Sequence, residues 1–148
     1  MQTIGAPSED ERMWGMYAHL SGMIAFTGIP FGGIIGPLVL YLQNKPVRPF
    51  ATEQAREALN FHITVGIAQL LTLVAAVVLW FGAILSVSMA SKGATPSFAG
   101  LGLAVACFGA FFAVYIWTFV LTLVGTIRAS SGAIYHYPLT ICFVRTAP

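Results

Sequence analysis

Apolar residues fill three stretches of this chain, and the polar residues collect between them. Residues 1–12 are polar and contain Gly5, Pro7 and Ser8. Met13 to Gln43 is apolar but interrupted by Gly28, Pro30, Gly32 and Gly33, and again by Gly36 and Pro37. Residues 44–51 are basic and carry Pro46 and Pro49. The second apolar stretch runs to about Leu85, where Ser86 to Ser97, with Lys92, Gly93 and Pro96, reads as a turn. The third runs from Phe98 to Ile127 and ends at Arg128 and the stop Ala129-Ser130-Ser131-Gly132.

This pattern predicts an all-α integral membrane protein: a four-helix bundle with helices over about 13–27, 33–43, 52–85 and 98–128. The first two are short and form a Gly/Pro-broken hairpin; the last two are long transmembrane helices. Residues 1–12 are a polar tail, 13–145 one membrane domain, and 129–148 a tail lying along the interface. A continuous helix over 13–43 would measure ~46 Å, long for a hydrocarbon core of ~30 Å. Its halves are short for two spans. The stretch therefore reads as a hairpin turning at Gly28–Gly33, or as one kinked span. The hairpin is favoured because Pro30 removes a helical donor and the nearby glycines weaken helix. Such irregular backbone is tolerated at membrane depth only where protein or a wet cavity covers it. Ser8 and Glu11 have the spacing of a capping box. Pro37 suits the first turn of the second helix, and Thr52 suits an N-cap. Trp14 and Tyr17 suit an interface.

Composition supports the bilayer as solvent. Charged residues are 8% and hydrophobic residues 57% of the 148, against roughly 25% and 45–50% in soluble domains, and the mean hydropathy is +0.83. The lipid bilayer is thus the first partner. No basic run interleaved with aromatics points to nucleic acid. Acidic Glu9, Asp10 and Glu11 stand where a signal peptide would be basic. Lys45, Arg48 and Arg56 on one side of the long hairpin, with Arg128 and Arg145, outnumber Lys92 in its turn. The positive-inside rule then places these basic segments in the cytoplasm, and with 13–43 a hairpin both termini lie there.

Candidate chemistry is sparse. His19, Ser21, Asn60, His62 and Gln69 are candidate intramembrane polar contacts, since unpaired polar groups there are costly. Interhelical hydrogen bonding is the simpler reading of them; a polar path or proton-handling site is the other. Glu53, Arg56 and Glu57 read as an interfacial charge cluster at the surface. Gly102, Ala106 and Ala110 recur every fourth residue as a helix-packing face, within the chain or against a partner. Met16, His19 and Met23 could converge as ligands for Cu(I) or haem. Cys107 and Cys142 lack any ligand spacing. No nucleophile–base pair, phosphate loop or dinucleotide fingerprint occurs, so no catalytic residue, cofactor or metal is expected.

Four ordered motifs carry a family resemblance: Ala18-His19-Leu20-Ser21-Gly22, Ile29-Pro30-Phe31-Gly32-Gly33-Ile34-Ile35-Gly36-Pro37, Glu53 to Phe61, and Tyr135-His136-Tyr137-Pro138-Leu139-Thr140-Ile141. Over about residues 12–145 the chain resembles the bacterial Tic twenty-like family of membrane proteins. That family is distantly similar to a subunit of the chloroplast inner-envelope import translocon. The resemblance implies four membrane helices in a bacterial inner membrane with both ends cytoplasmic, and it supplies no catalytic residues. The long Ser86–Ser97 turn and His62, where Gln is frequent, depart from its pattern. The expected function is that of a non-enzymatic accessory or scaffold subunit, joined to other membrane subunits or to itself. The alternatives are a channel or translocon-like component, and metal or haem binding.

Overall fold

The computed structural model describes residues 6–29, 31–45, 47–90 and 98–145. Pro30, the first five residues and most of the turn with Lys92, Gly93 and Pro96 lie outside them. The described chain is all-α, with four helices. They are α1 (Glu9–Leu20), α2 (Gly32–Asn44), α3 (Pro49–Ala90) and α4 (Ala99–Ser130), with a 3-10 helix, Ser21–Thr27, continuing α1. Two of these, α3 and α4, are long and apolar enough to cross a membrane. The protein is a four-helix membrane bundle whose two long helices are its candidate spans.

The α1 start follows the sequence pattern. The Ser8 hydroxyl accepts from the Glu11 amide at 3.2 Å, and the Glu11 carboxylate accepts from the Ser8 amide at 3.3 Å. The other Glu11 oxygen accepts from the Phe50 amide at 3.2 Å. One carboxylate thus satisfies orphan donors at the beginnings of both α1 and α3. Arg48 reinforces the junction, pairing with Asp10 at 2.5 Å and lying over the Trp14 ring.

Several boundaries differ from expectation. The α3 helix opens at Pro49 rather than after Thr52. Proline is at home in the first turn because its missing N–H would have had no helical partner. The Thr52 hydroxyl, already inside the helix, donates back to the Arg48 carbonyl. Pro37 lies beyond the first turn of α2, which starts at Gly32, and is buried there. The α-helical part of the first element ends at Leu20; the tighter 3-10 winding carries the chain on to Gly28, whose φ of 81° reverses it.

The described chain divides into two compact units. One comprises the residues up to Gly66 together with those from Thr118 onward; the other is Ile67–Trp117. In the first unit α3 is enclosed on most sides: Phe50, Ala51, Gln54, Ala55, Ala58, Leu59, Asn60, Phe61 and His62 are all buried. Close approach depends on missing side chains. A Cβ on Gly15 would stand 2.9 Å from the Phe50 ring, and one on Gly33 2.8 Å from Ala25. In the second unit the two helices meet through small residues, with Ala76, Ala83 and Ala104 buried and Gly100 set against Leu79 and Ala83. Trp80 and Phe108 pack edge to face. Leu70, Leu71, Val78, Phe81, Val105 and Phe112 point outward, as helices solvated by lipid require.

Replacing Glu11 by Ala removes the acceptor at both helix starts. We expect a loss of about 1–2 kcal/mol from the capping contribution, read as a lower unfolding midpoint by circular dichroism in mild detergent. A Glu11→Gln protein, which keeps an acceptor oxygen for one of the two amides, should lose less.

Candidate functional site: a buried polar core and the segment strapped to it

The first unit contains a buried chain of hydrogen bonds. His19, on the last turn of α1, is fully buried. Its Nε2 lies 2.6 Å from Gln54 Oε1 on α3, and its Nδ1 lies 2.8 Å from the Tyr137 hydroxyl. The Gln54 amide is oriented by backbone: its nitrogen donates to the Ala133 carbonyl, and its oxygen accepts from the Tyr135 amide. An amide oxygen cannot donate, so the proton must sit on His19 Nε2. Nδ1 is then the acceptor and the Tyr137 hydroxyl the donor. The imidazole is neutral in this arrangement, which suits a group removed from solvent. Burial pushes the Tyr137 phenol well above its usual range, and it stays a donor. Its ring stacks on Phe61 with centroids 3.9 Å apart.

His62 sits nearby, in a notch built from glycine. A Cβ on Gly22 would overlap its ring, and a Cβ on Gly33 would come within 3.0 Å of Nδ1. Its Nε2 faces the Thr122 hydroxyl of α4 at 3.5 Å. Gly125, one turn on, leaves room for His19, Tyr135 and Tyr137, all within 3.1 Å of where its Cβ would stand. The three glycines hold this polar core at backbone distance from the 3-10 helix, α2 and α4.

Asn60 does something different from these histidines. Its amide works as a peptide unit would. The oxygen accepts from the Phe143 and Val144 amides at 3.1 and 2.8 Å, and the nitrogen donates to the Val144 carbonyl at 3.0 Å. One turn later the Thr64 hydroxyl accepts from the Ile141 amide at 3.0 Å while donating to the Asn60 carbonyl. Residues 133–145 form no helix or strand. Gln54, Asn60 and Thr64 supply the partners that a ladder would otherwise provide. An interfacial tail was expected here; the segment is strapped to α3, with Tyr137 in the core.

The charge cluster is also less superficial than expected. Arg56 bonds both Glu53 and Glu57, and its side chain is only 11% exposed. The strap covers it: Arg56 Nη1 also reaches the Val144 carbonyl at 3.4 Å and the Cys142 sulfur at 3.7 Å. Glu57 in turn faces His136 at 3.4 Å.

Other candidate residues lie apart from this core. The Ser21 hydroxyl donates to the Ala18 carbonyl rather than to His19. Gln69 belongs to the second unit, where the Thr72 hydroxyl donates to its carbonyl. Gly102, Ala106 and Ala110 are exposed, and nothing stands within 4 Å of a Cβ on Gly102. Of the residues of the helix break, Gly28 carries the reversal and Gly32, Gly33 and Gly36 the close contacts. A Cβ on Gly36 would lie 2.7 Å from the Ser21 carbonyl oxygen. Met16 and Met23 are half-buried, and both ring nitrogens of His19 already have protein partners. No group of three or more His, Cys, Asp or Glu able to hold a metal occurs among the described residues. Gln54, Thr122 and Tyr137 were missed from sequence. Gln54 and Tyr137 sit inside the quoted motifs, but nothing in the one-dimensional pattern says that they meet.

A family model, that of the magnetosome magnetite crystal formation protein family (MamF_MmsF), matches residues 10–144. The chain belongs to this family. The match overturns the resemblance to the Tic twenty-like proteins. The import translocon therefore no longer bears on the protein. No curated protein and no solved structure matches the chain. This member is a small membrane protein, and its two long apolar helices fit a multi-pass topology.

Two variants test the core. Asn60→Leu takes the partner from the Val144 amide and leaves the Val144 carbonyl to Arg56 and the Phe143 amide to the Ile141 carbonyl, at about 1–3 kcal/mol for the amide if it stays buried. The strap should come loose: amides 141–144 should exchange hydrogen faster, with the α4 helix unchanged. Gly22→Ala drives a methyl into the His62 ring and should cost about 1–3 kcal/mol or more by overpacking, lowering the thermal midpoint. Gly109→Ala, into open space, should leave that midpoint near the parent value.

Proposed function

We propose that this protein is a non-enzymatic structural subunit of the membrane in which magnetite crystals form, acting by assembly with other membrane proteins or with itself. Membership of the magnetosome magnetite crystal formation family over residues 10–144 is the observation that carries this reading. The disposition of polar groups agrees with it. The histidines, amides and buried hydroxyls described above are spent on internal hydrogen bonds, which fix one packing and leave no free nucleophile or ligand set among them. The outward row of Gly102, Ala106 and Ala110 offers a smooth helix face of the kind that lets a second helix approach closely. The excess of Lys and Arg around α3's start and the strap supports a cytoplasmic location for that side.

The test is native purification in mild detergent from the source membrane. Specific membrane proteins, or further copies of the chain, should come with it. Ala106→Leu, which roughens the exposed row without touching the core, should weaken that association at least tenfold, about 1.4 kcal/mol. A monodisperse monomer under several mild conditions, with crystal formation unaltered in cells lacking the protein, would overturn the proposal.

A further inference from the structure

Two exposed turns in the first unit share three unusual properties. Among the described residues, the non-glycine positions with positive φ are Phe31 at 59° and Leu139 at 58°. Bulky residues seldom adopt this left-handed conformation. Both side chains also face outward, Phe31 at 74% and Leu139 at 89% exposure. Each is at the tip of a reversal, and each has an exposed apolar neighbour, Ile29 and Ile141.

The third property is their level along α3. The first turn of α2, which follows Phe31, lies beside His62 and Gly66: a Cβ on Gly33 would be 3.0 Å from His62 Nδ1, and one on Gly66 3.8 Å from Ile34. The strap descends from the Gln54 level, stacks Tyr137 on Phe61, turns at Pro138-Leu139, and bonds Thr64 through the Ile141 amide. It then returns to Asn60 and Arg56 at Val144. Both reversals therefore bottom out beside residues 61–66 of the same helix. From the Phe50 amide held by Glu11 to that level, α3 rises ~20 Å. The ion-paired residues Asp10, Arg48, Glu53, Arg56 and Glu57 lie at the shallow end. From Ala58 to Ala90 the helix has no charged residue.

We infer that Phe31 and Leu139 are seated in the acyl chains of one leaflet, so that the first unit is a re-entrant block anchored by two apolar turn tips. The occupant is lipid hydrocarbon. The inner side of each turn is tied to a helix long and apolar enough to span, at a level within its charge-free stretch. The outer side therefore faces whatever surrounds α3 at that depth. Irregular backbone is tolerated there because α3 satisfies it: Asn60 and Thr64 take up the strap's amides. This assigns those polar residues a purpose beyond packing. They let non-helical chain enter the membrane and return.

The test is depth-resolved fluorescence on the full-length protein in phosphatidylcholine–phosphatidylglycerol vesicles. An environment-sensitive NBD label is placed on Leu139→Cys, Phe31→Cys or, as the shallow reference, His136→Cys, in a Cys107→Ala/Cys142→Ser background. All three sites are exposed or partly so, and circular dichroism checks each protein against the parent. Labels at 139 and 31 should emit to the blue of the label at 136. Doxyl groups on the acyl chains should quench them several-fold more than the label at 136, and aqueous iodide several-fold less. Iodide quenching at 139 and 31 equal to that at 136 overturns the inference. So does protection from both quenchers that disappears when protein is diluted with lipid, since a second copy would then be covering the tips.

Discussion

The requirement that buried polar groups find partners where no water can supply them organises this protein. The bond between His19 and Gln54 shows it most directly. A neutral imidazole joins the end of α1 to α3, and through Tyr137 and Ala133 the same chain of bonds reaches the segment after α4. In an apolar surrounding each unmade bond would cost on the order of a few kcal/mol. The network therefore specifies one arrangement of the elements, rather than merely adding to an arrangement that apolar contact already fixed. Lipid-facing side chains cannot do this, because acyl chains are as apolar as they are.

Glycine makes the network possible. Gly22, Gly33 and Gly125 are distant in sequence, yet each vacates the space that a buried ring or hydroxyl fills. The hydrogen-bonding core and the small-residue pattern are thus one design. The second unit uses small residues in another way, with alanines at the contact and large apolar groups outside. The first is a specified polar joint; the second is a pair of helices whose outer faces are left to the bilayer and to other proteins.

Much of this architecture was legible in the sequence. The low charge, the two long apolar runs and the Gly/Pro break gave an all-α membrane bundle with a short N-terminal hairpin, and Ser8 with Glu11 marked the first helix start. Helix boundaries moved where a local rule competed with another: Pro49 displaced Thr52 as the opening of α3 because a ring nitrogen without hydrogen costs nothing there. Family assignment failed for a different reason. Two of the four quoted motifs are a Gly/Pro break and a charged helix start, which any short hairpin leading into a long helix would favour. The site was only half visible. Polarity at Asn60 and His62 announced that partners must exist, but pairing with residues sixty or more positions away leaves no periodic trace. For the same reason the segment after α4, short and alternating, read as surface chain and not as the piece that completes the core.

The strap's late position has a consequence for how the protein is made. Gln54, Asn60 and Thr64 enter the membrane with α3, well before residues 133–145 have left the ribosome. Until then their amides and hydroxyl must be held by water, by the insertion machinery or by temporary partners. The core is finished from the outside, by the later chain folding back along a helix already in place. Completion of the core is therefore a late event, and the unit is sealed by a segment made well after the helix to which it is strapped.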